Sequence, residues 1–297
     1  MRILVSGSTG LIGTALIRRL RDDGHEPVRL VRAAPPDDLP TASWDPATGR
    51  LDDDALTGID AVVHLAGEGI ANRRWSPTQK ARIRDSRVDG TTLLSERVAD
   101  AAPPPAVFLS GSAIGFYGDR GAATLTESDG PGEGFLAEVV TAWERSTAAI
   151  PDPPTRVVHL RTGIVLSADG GALAQQLPFF RLGLGGRIGN GNQWWSWISL
   201  TDVVAAISWL LDHDVRGPVN LAAPGAVTNA EFTKTLGRVL RRPTIVPTPK
   251  PALWARLGRE LTRELLCTSQ RVRPAVLESE GFEFQHPDLE PALRSIL

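Results

Sequence analysis

Cysteine is nearly absent from this chain. Cys267 is the only one, so an internal disulfide is impossible and cysteine-rich metal sites are excluded; a reducing compartment suits such a protein. Tyrosine is as scarce, with Tyr117 alone, and lysine occurs only at Lys80, Lys234 and Lys250. The other strong cations are arginines, which hold their proton near neutral pH, so the supply of titratable catalytic groups is small. No apolar run approaches the roughly 20 residues of a bilayer-spanning helix. The opening MRILVSGSTG runs straight into a strand and turn, without the basic region, apolar core and cleavage site of a secretory signal. A cytoplasmic protein is expected. A formal net charge of -2 supplies no field to gather nucleic acid or acidic lipid, so neither nucleic acid nor membrane is expected as a partner.

At 297 residues the chain suits one α/β domain carrying a smaller lobe, and 42% hydrophobic with 22% charged residues is ordinary for a globular protein. Residues 2–6 (RILVS) read as a short apolar strand, followed by a glycine turn and the helical pattern LIGTALIRRLRDDG, which stops at Gly24. Strand patterns recur at 26–32, 60–65, 106–110 and 156–161, with helices at 77–100 and 135–149. Ser76 is the expected N-cap of the helix at 77, with Pro77 at its first position, where a missing N–H costs nothing. Strands alternating with helices imply the α/β class and a Rossmann-type, doubly wound parallel sheet.

After about residue 165 the texture becomes glycine- and tryptophan-rich, as in GLGGRIGNGNQWWSWISLTD at 183–202. A helix at 202–212 and a strand at 218–221 are expected to return to the sheet, and a helical stretch at 251–267 to belong elsewhere. The division that follows is a dinucleotide-binding domain over 1–165, with 200–221 returning to it, and a smaller, discontinuous C-terminal substrate lobe from 166–199 and 222–297.

The segment GSTGLIG places Gly7, Thr9, Gly10, Leu11, Ile12 and Gly13 between the first strand and the first helix. Gly7 permits a tight turn, Gly10 lets the backbone approach a pyrophosphate, and Gly13 allows close helix–sheet packing, with the phosphate at the helix N-terminus. About 20 residues further on, a carboxylate would hold the ribose 2′-hydroxyl of NAD. Here the second strand ends with Val31 and Arg32. A guanidinium matches a 2′-phosphate in charge and in its forked donors, so NADP(H) is the expected cofactor. The alternative for Arg32 is a solvated strand-end charge.

GSTGLIG at 7–13, HLAG at 64–67, SGSAIGFYG at 110–118, RTGIVL at 161–166 and GNGNQWWSWISLTD at 189–202 together resemble the extended short-chain dehydrogenase/reductase family. More narrowly, AGEGIANRRW (66–75), IRDSRVDGT (83–91), QWWSWISLTD (193–202) and the closing RPAVLESEGFEFQHPDLEPALRSIL are similar to its atypical NAD(P)-dependent epimerase/dehydratase-like branch, whose C-terminal domain has no assigned role. The resemblance implies a dinucleotide held across the C-terminal edge of the sheet, with hydride moved at the nicotinamide C4. It adds Leu65, Ala66, Gly67 and Ser110 to the cofactor groove, together with Arg82 and Arg87. Those two arginines either contact NADP or pair on the surface with Asp85 and Asp89.

The family further implies a serine that orients the substrate oxygen, matched by Ser112, and a Tyr-x-x-x-Lys pair that handles its proton. Ser112 has the alternative of capping its own turn. The pair falls on Leu136 and Val140. Counting gives the same answer independently, because Tyr117 is the only tyrosine and is followed four residues later by Gly121. Without that relay, ketone reduction loses acid–base assistance of about 10² to 10⁴ in rate. Tyr117 is a candidate unassisted donor, with Glu68, Asp119 and Glu133 as alternative acids, while His64 and His159 read as core histidines. Trp194, Trp195 and Trp197, near Phe179 and Phe180, form either a flat apolar substrate pocket or core plugs. Trp195 stands where nucleotide-sugar enzymes of the family offer an arginine, which disfavours such a substrate.

The expected function is that of an NADP(H)-binding, oxidoreductase-like protein of the epimerase family. It would transfer hydride on a small apolar or aromatic carbonyl or alkene, with Ser112 and Tyr117 as catalytic residues. The alternative is a catalytically weak or inactive NADP(H)-sensing binding protein. Helices flanking such sheets often pair two copies, which leaves a homodimer open.

Overall fold

A computed structural model of the chain describes residues 1–33 and 38–297. Strand β1 (Arg2–Ser6) buries Ile3 and Val5 in one core and Leu4 in another, the two-residue alternation of a strand covered on both faces. Helix α1 (Leu11–Asp22) follows, then β2 (Glu26–Val31), β3 (Thr41–Asp45), β4 (Arg50–Leu51) and β5 (Ala61–His64). Helix α2 (Pro77–Ala99) leads to β6 (Val107–Ala113), α3 (Phe135–Arg145) and β7 (Arg156–Thr162). Helices α4 (Gly171–Arg181) and α5 (Leu200–Asp212) precede β8 (Gly217–Leu221), and α6 (Asn229–Leu240) and α7 (Lys250–Leu257) come after it.

The eight strands form one sheet in the order β8-β7-β6-β5-β1-β2-β3-β4. Every pairing is parallel except that of β4 with β3. Helices α1 and α5 cover one face through Leu16, Ile17, Leu20, Val203 and Ile207, while α2 covers the other through Leu93, Leu94 and Val98. The chain winds outward in both directions from β1 and β5, so a crevice opens between their C-terminal ends, where sheets of this type take ligands.

A third core gathers Leu173, Leu177, Phe180, Trp195, Trp197, Phe232, Leu236 and Leu293 beside the sheet. Asp202, fully buried, accepts the backbone N–H groups of Gln285 and His286 at 2.8 and 3.0 Å, tying the C-terminal segment to α5. The expected continuous helix over 251–267 is broken. Gly258 adopts φ +90, a left-handed conformation that ends α7, and the chain resumes as a short helix (Arg259–Thr262) and a wide turn (Arg263–Cys267). Among the described residues no helix is long and apolar enough to cross a membrane.

Candidate cofactor cradle and substrate cavity

After β1 the chain turns through Gly7 at φ +66, where a Cβ would lie 2.7 Å from the Leu65 carbonyl carbon. The Gly10 N–H closes the turn on the Gly7 carbonyl at 3.0 Å. Gly10 then caps α1 with no side chain, and no acidic residue occupies the first helical turn. The first amides of α1, at Leu11, Ile12 and Gly13, therefore present their N–H groups and the positive helix end to whatever lies in the crevice. Thr9 and Gly10 are exposed and Gly13 is buried against the turn. A Cβ on Gly13 would fall on the Gly7 carbonyl oxygen and 2.8 Å from its carbon. Overpacking of that kind costs about 1–3 kcal/mol. Gly13→Ala is thus expected to weaken nicotinamide-coenzyme binding roughly tenfold or more, read by calorimetry.

The opposite wall is the end of β5. The Ser6 hydroxyl accepts the N–H groups of Leu65 at 3.1 Å and Ala66 at 3.2 Å, which directs its own proton to His64 Nδ1 at 2.6 Å. Complete burial holds the His64 pKa down at about 3, so the ring is neutral. His64 is a core histidine that orients the HLAG turn. Leu65 and Ala66 are half-buried there and Gly67 is exposed.

At the end of β2, Val31 is half-buried and Arg32 exposed, while Arg29 turns inward and donates to the Ser8 carbonyl at 3.1 Å. Arg87 is buried beneath Gly67 and donates to the carbonyls of Glu68 at 3.0 Å and Ile83 at 2.9 Å. Burial brings its pKa down to about 10. Of the two roles open to Arg87, the surface pair is not formed; Arg84 takes Asp85 instead. Arg82 is exposed on the same helix, and Ser110 is wholly buried, its hydroxyl turned to the Gly111 carbonyl at 3.3 Å.

Beyond the C-terminal ends of β6 and β7 lies a cavity of about 520 Å³. Ala113 and Ile114, Leu136 and Val140 of α3, and Gly163 line its sheet side. Trp194, Trp195 and the segment containing Arg263, Glu264 and Gln270 line the other. The two positions that the resemblance assigns to the proton relay therefore do face the cavity, as apolar side chains. Its carboxylates are Asp119, Glu133 and Glu264. Glu264 accepts the N–H groups of Phe135 at 3.1 Å and Leu136 at 3.0 Å, capping α3, whose own N-cap residue is Gly134. Glu68 is not among the lining residues; it accepts from the Gln79 amide at 3.3 Å.

Three sequence expectations are corrected by this placement. Tyr117 is fully buried, its hydroxyl donating to Asn220 Oδ1 at 2.7 Å and accepting from Arg161 at 3.0 Å, so it has no path to a substrate. Burial raises its pKa further, against the lowering effect of Arg161. Ser112 also points away from the cavity, which Ala113 lines instead; its hydroxyl donates to Glu144 Oε1 at 2.7 Å. Trp197 is a core plug, wholly buried with its indole N–H on the Gly225 carbonyl at 2.8 Å.

These buried groups belong to one network. Arg161 grips Glu144 with two forked bonds of 2.8 and 2.9 Å, and its guanidinium stacks 3.5 Å from the Phe116 ring centre. Burial alone would raise the Glu144 pKa, but the hydrogen bonds from Arg161 and Ser112 and the Arg161 charge hold it below the ordinary carboxylate value. Asn220 continues the chain of bonds to the Arg273 carbonyl at 3.0 Å. The network joins β6, α3, β7 and β8 to the C-terminal segment directly under the cavity floor.

Residues 3–222 match the model of the NAD dependent epimerase/dehydratase family, and residues 248–296 match Domain of unknown function (DUF1731). The chain belongs to the NAD dependent epimerase/dehydratase family. An epimerase family protein of Mycobacterium tuberculosis, MT2273, is 44% identical over 292 residues, covering 98% of this chain and 96% of the relative. The crystal structure of human epimerase family protein SDR39U1 with NADPH superposes with a TM-score of 0.91 at 36% identity, covering 100% of this chain and 99% of the human one. A nucleoside-diphosphate sugar epimerase of Corynebacterium glutamicum gives a TM-score of 0.82 at 36% identity, over 100% of this chain and 58% of its own.

Within this family member, Glu264 is the acidic cavity residue that has no counterpart among the sequence expectations. A signal did exist, since the helix beginning at Phe135 follows a glycine and its orphan N–H groups need an acceptor from elsewhere. Nothing in the local pattern says that the acceptor lies 128 residues downstream of Leu136.

Proposed function

We propose that this chain binds NADPH along the crevice between β1 and β5 and holds a small apolar or aromatic carbonyl or alkene in the adjoining cavity for hydride transfer. The observation that carries this reading is the cavity itself, open at the C-terminal sheet edge and walled by Ala113, Leu136, Val140 and Trp194. Gly7 and Gly13 fit a pyrophosphate-binding turn, because side chains at either position would collide with the backbone that shapes it. The presence of NADPH in the human relative's structure supports the choice of cofactor. In this reading 1–165 with 200–221 holds the cofactor, Arg32 selects its 2′-phosphate, and 166–199 with 222–297 supplies the substrate side.

Once bound, the cofactor supplies hydride. The protein's part is to orient an apolar substrate against Trp194 and Val140 and to exclude water from that wall. Leu136 and Val140 cannot pass a proton, and Ser112 and Tyr117 are enclosed, so Asp119, Glu133 or water at the open rim must serve. An activated alkene suits such a site better than a ketone, because it needs less acid assistance at oxygen. The cluster of carboxylates also repels a diphosphate, which works against a nucleotide sugar.

Calorimetry and NADPH oxidation over a panel of carbonyls and activated alkenes test both halves. Arg32→Glu should weaken NADPH binding about tenfold to a hundredfold, the range for a charge-assisted hydrogen bond, and leave NADH binding nearly unchanged. No heat with either coenzyme would overturn the reading. The apolar pair Leu136 and Val140 favours one alternative, an NADPH-responsive binding protein, which predicts tight NADPH binding with no turnover anywhere in the panel.

A further inference from the structure

Two stretches of the chain carry no acid. Between Asp169 and Asp202 the only charged side chains are Arg181 and Arg187, and every charged residue between Glu231 and Glu260 is lysine or arginine. The fold lays these stretches side by side. Thr248 donates its N–H to the Arg187 carbonyl at 2.8 Å and its hydroxyl to the Gly186 carbonyl at 3.0 Å. Arg242 donates to the Arg181 carbonyl at 2.7 Å, and the Arg256 guanidinium lies 5.7 Å from the Phe179 ring centre.

The joint surface is also where apolar side chains meet solvent. Ile245 is 86% exposed, Leu182 73%, Val246 70%, Leu184 68%, Phe179 46% and Trp254 36%. Of the large exposed hydrophobics among the described residues, the only others are the terminal Met1 and Leu297. Arg181, Arg187, Arg241, Arg242, Arg256 and Arg259 are exposed among them. The chain's net charge of -2 conceals this segregation.

We infer that this face docks onto an anionic phospholipid surface. Aliphatic side chains that protrude from loops enter the boundary between headgroups and acyl chains, while arginines remain in the phosphate layer with their stems along apolar surface. Arg256 over Phe179 and Arg259, 5.1 Å from the Trp254 ring centre, have that arrangement already. A second copy of the chain fits less well, because a two-fold contact through this face sets arginines against arginines. An acidic protein would satisfy the charge and leave the protruding Ile245 and Val246 without a matching surface. The docking is peripheral, in keeping with the lack of a spanning helix among the described residues, and it departs from the sequence expectation of no membrane partner.

The test is co-sedimentation of the full chain with vesicles of phosphatidylcholine containing about a third phosphatidylglycerol, against vesicles of phosphatidylcholine alone. Binding to the anionic vesicles only, weakening as salt is raised, is expected. Arg187→Glu with Arg256→Glu should lower partitioning by roughly tenfold or more, since each basic residue near such a surface contributes about fivefold. Ile245→Ser with Val246→Ser should lower it by a similar factor with charge untouched. All four positions are exposed, and an unchanged circular dichroism spectrum confirms that the variants fold. Equal binding to both vesicles, or binding to neither, would overturn the inference. Capture of soluble polyglutamate without vesicle binding would assign the face to an acidic protein, and dimerisation abolished by the serine variant would assign it to a second copy.

Discussion

Arg161→Met is expected to lower the stability of the protein by about 3–5 kcal/mol, the cost of leaving a buried charge without its partner. The Arg161 side chain is only 4% exposed, so solvent does little to screen its pair with Glu144, itself 11% exposed. Without the guanidinium, Glu144 keeps a single donor, Ser112, and the Tyr117 hydroxyl loses one of its two partners. Urea unfolding at neutral pH measures the effect. The double variant Arg161→Met with Glu144→Leu should recover much of the loss, because removing both charges removes the desolvation cost with them.

The pH dependence of that difference is a further check. Arg161 holds the Glu144 pKa below its unfolded value, so the pair's contribution is complete above pH about 4.5 and is lost as the pH falls through the depressed folded value. The gap between wild type and Arg161→Met should therefore narrow in acid. If it stays constant down to pH about 3, Glu144 is not ionised in the native protein and this account of the network is wrong.

Acid should also destabilise the wild type through His64. Its folded pKa of about 3 lies below the unfolded value of 6.5, so only the unfolded chain takes up this proton between those limits. Stability is thus complete above pH 6.5 and declines as the pH drops. At about 1.4 kcal/mol per unit, the loss is roughly 2 kcal/mol by pH 5. His159, also held neutral by burial, adds to it in the same direction. Urea midpoints at pH 7 and pH 5 should show the decline. His64→Gln should flatten that slope while lowering stability at neutral pH, since the Ser6 contact changes.

The parts of this protein that were legible in its sequence are those encoded within one turn or one strand. The glycine cradle, the short apolar strand β1 and the cap on α2 are local, and the Ser76 hydroxyl does accept the Gln79 N–H, at 3.1 Å. Helix α6 carries a local signal too, the reciprocal capping box of Thr228 and Glu231. Strand β3 and helix α4 carry weaker signals; β3 is five residues long, and α4 starts on the second of two glycines and contains Pro178.

The site was harder to read because its assignments depend on which way a side chain turns. β6 alternates, and period alone does not say whether Ser112 or Ala113 meets the crevice. A lone tyrosine invites a chemical role, yet Tyr117 is fixed by Asn220, 103 residues away in the chain. Trp194, Trp195 and Trp197 share one motif, yet Trp194 lines the cavity, Trp195 belongs both to the cavity wall and to the third core, and Trp197 only fills that core.

The carboxylate of Glu264 on the first amides of α3 bears on how such proteins evolve. The epimerase-type segment ends at residue 222 and the second family segment begins at 248, a boundary that looks suited to recombination. Yet the start of a helix on one side of it is completed by a residue on the other. Grafting a foreign tail after residue 222 would leave two amides bare unless the newcomer also places an acid there, so the first segment depends on the second for a complete helix start.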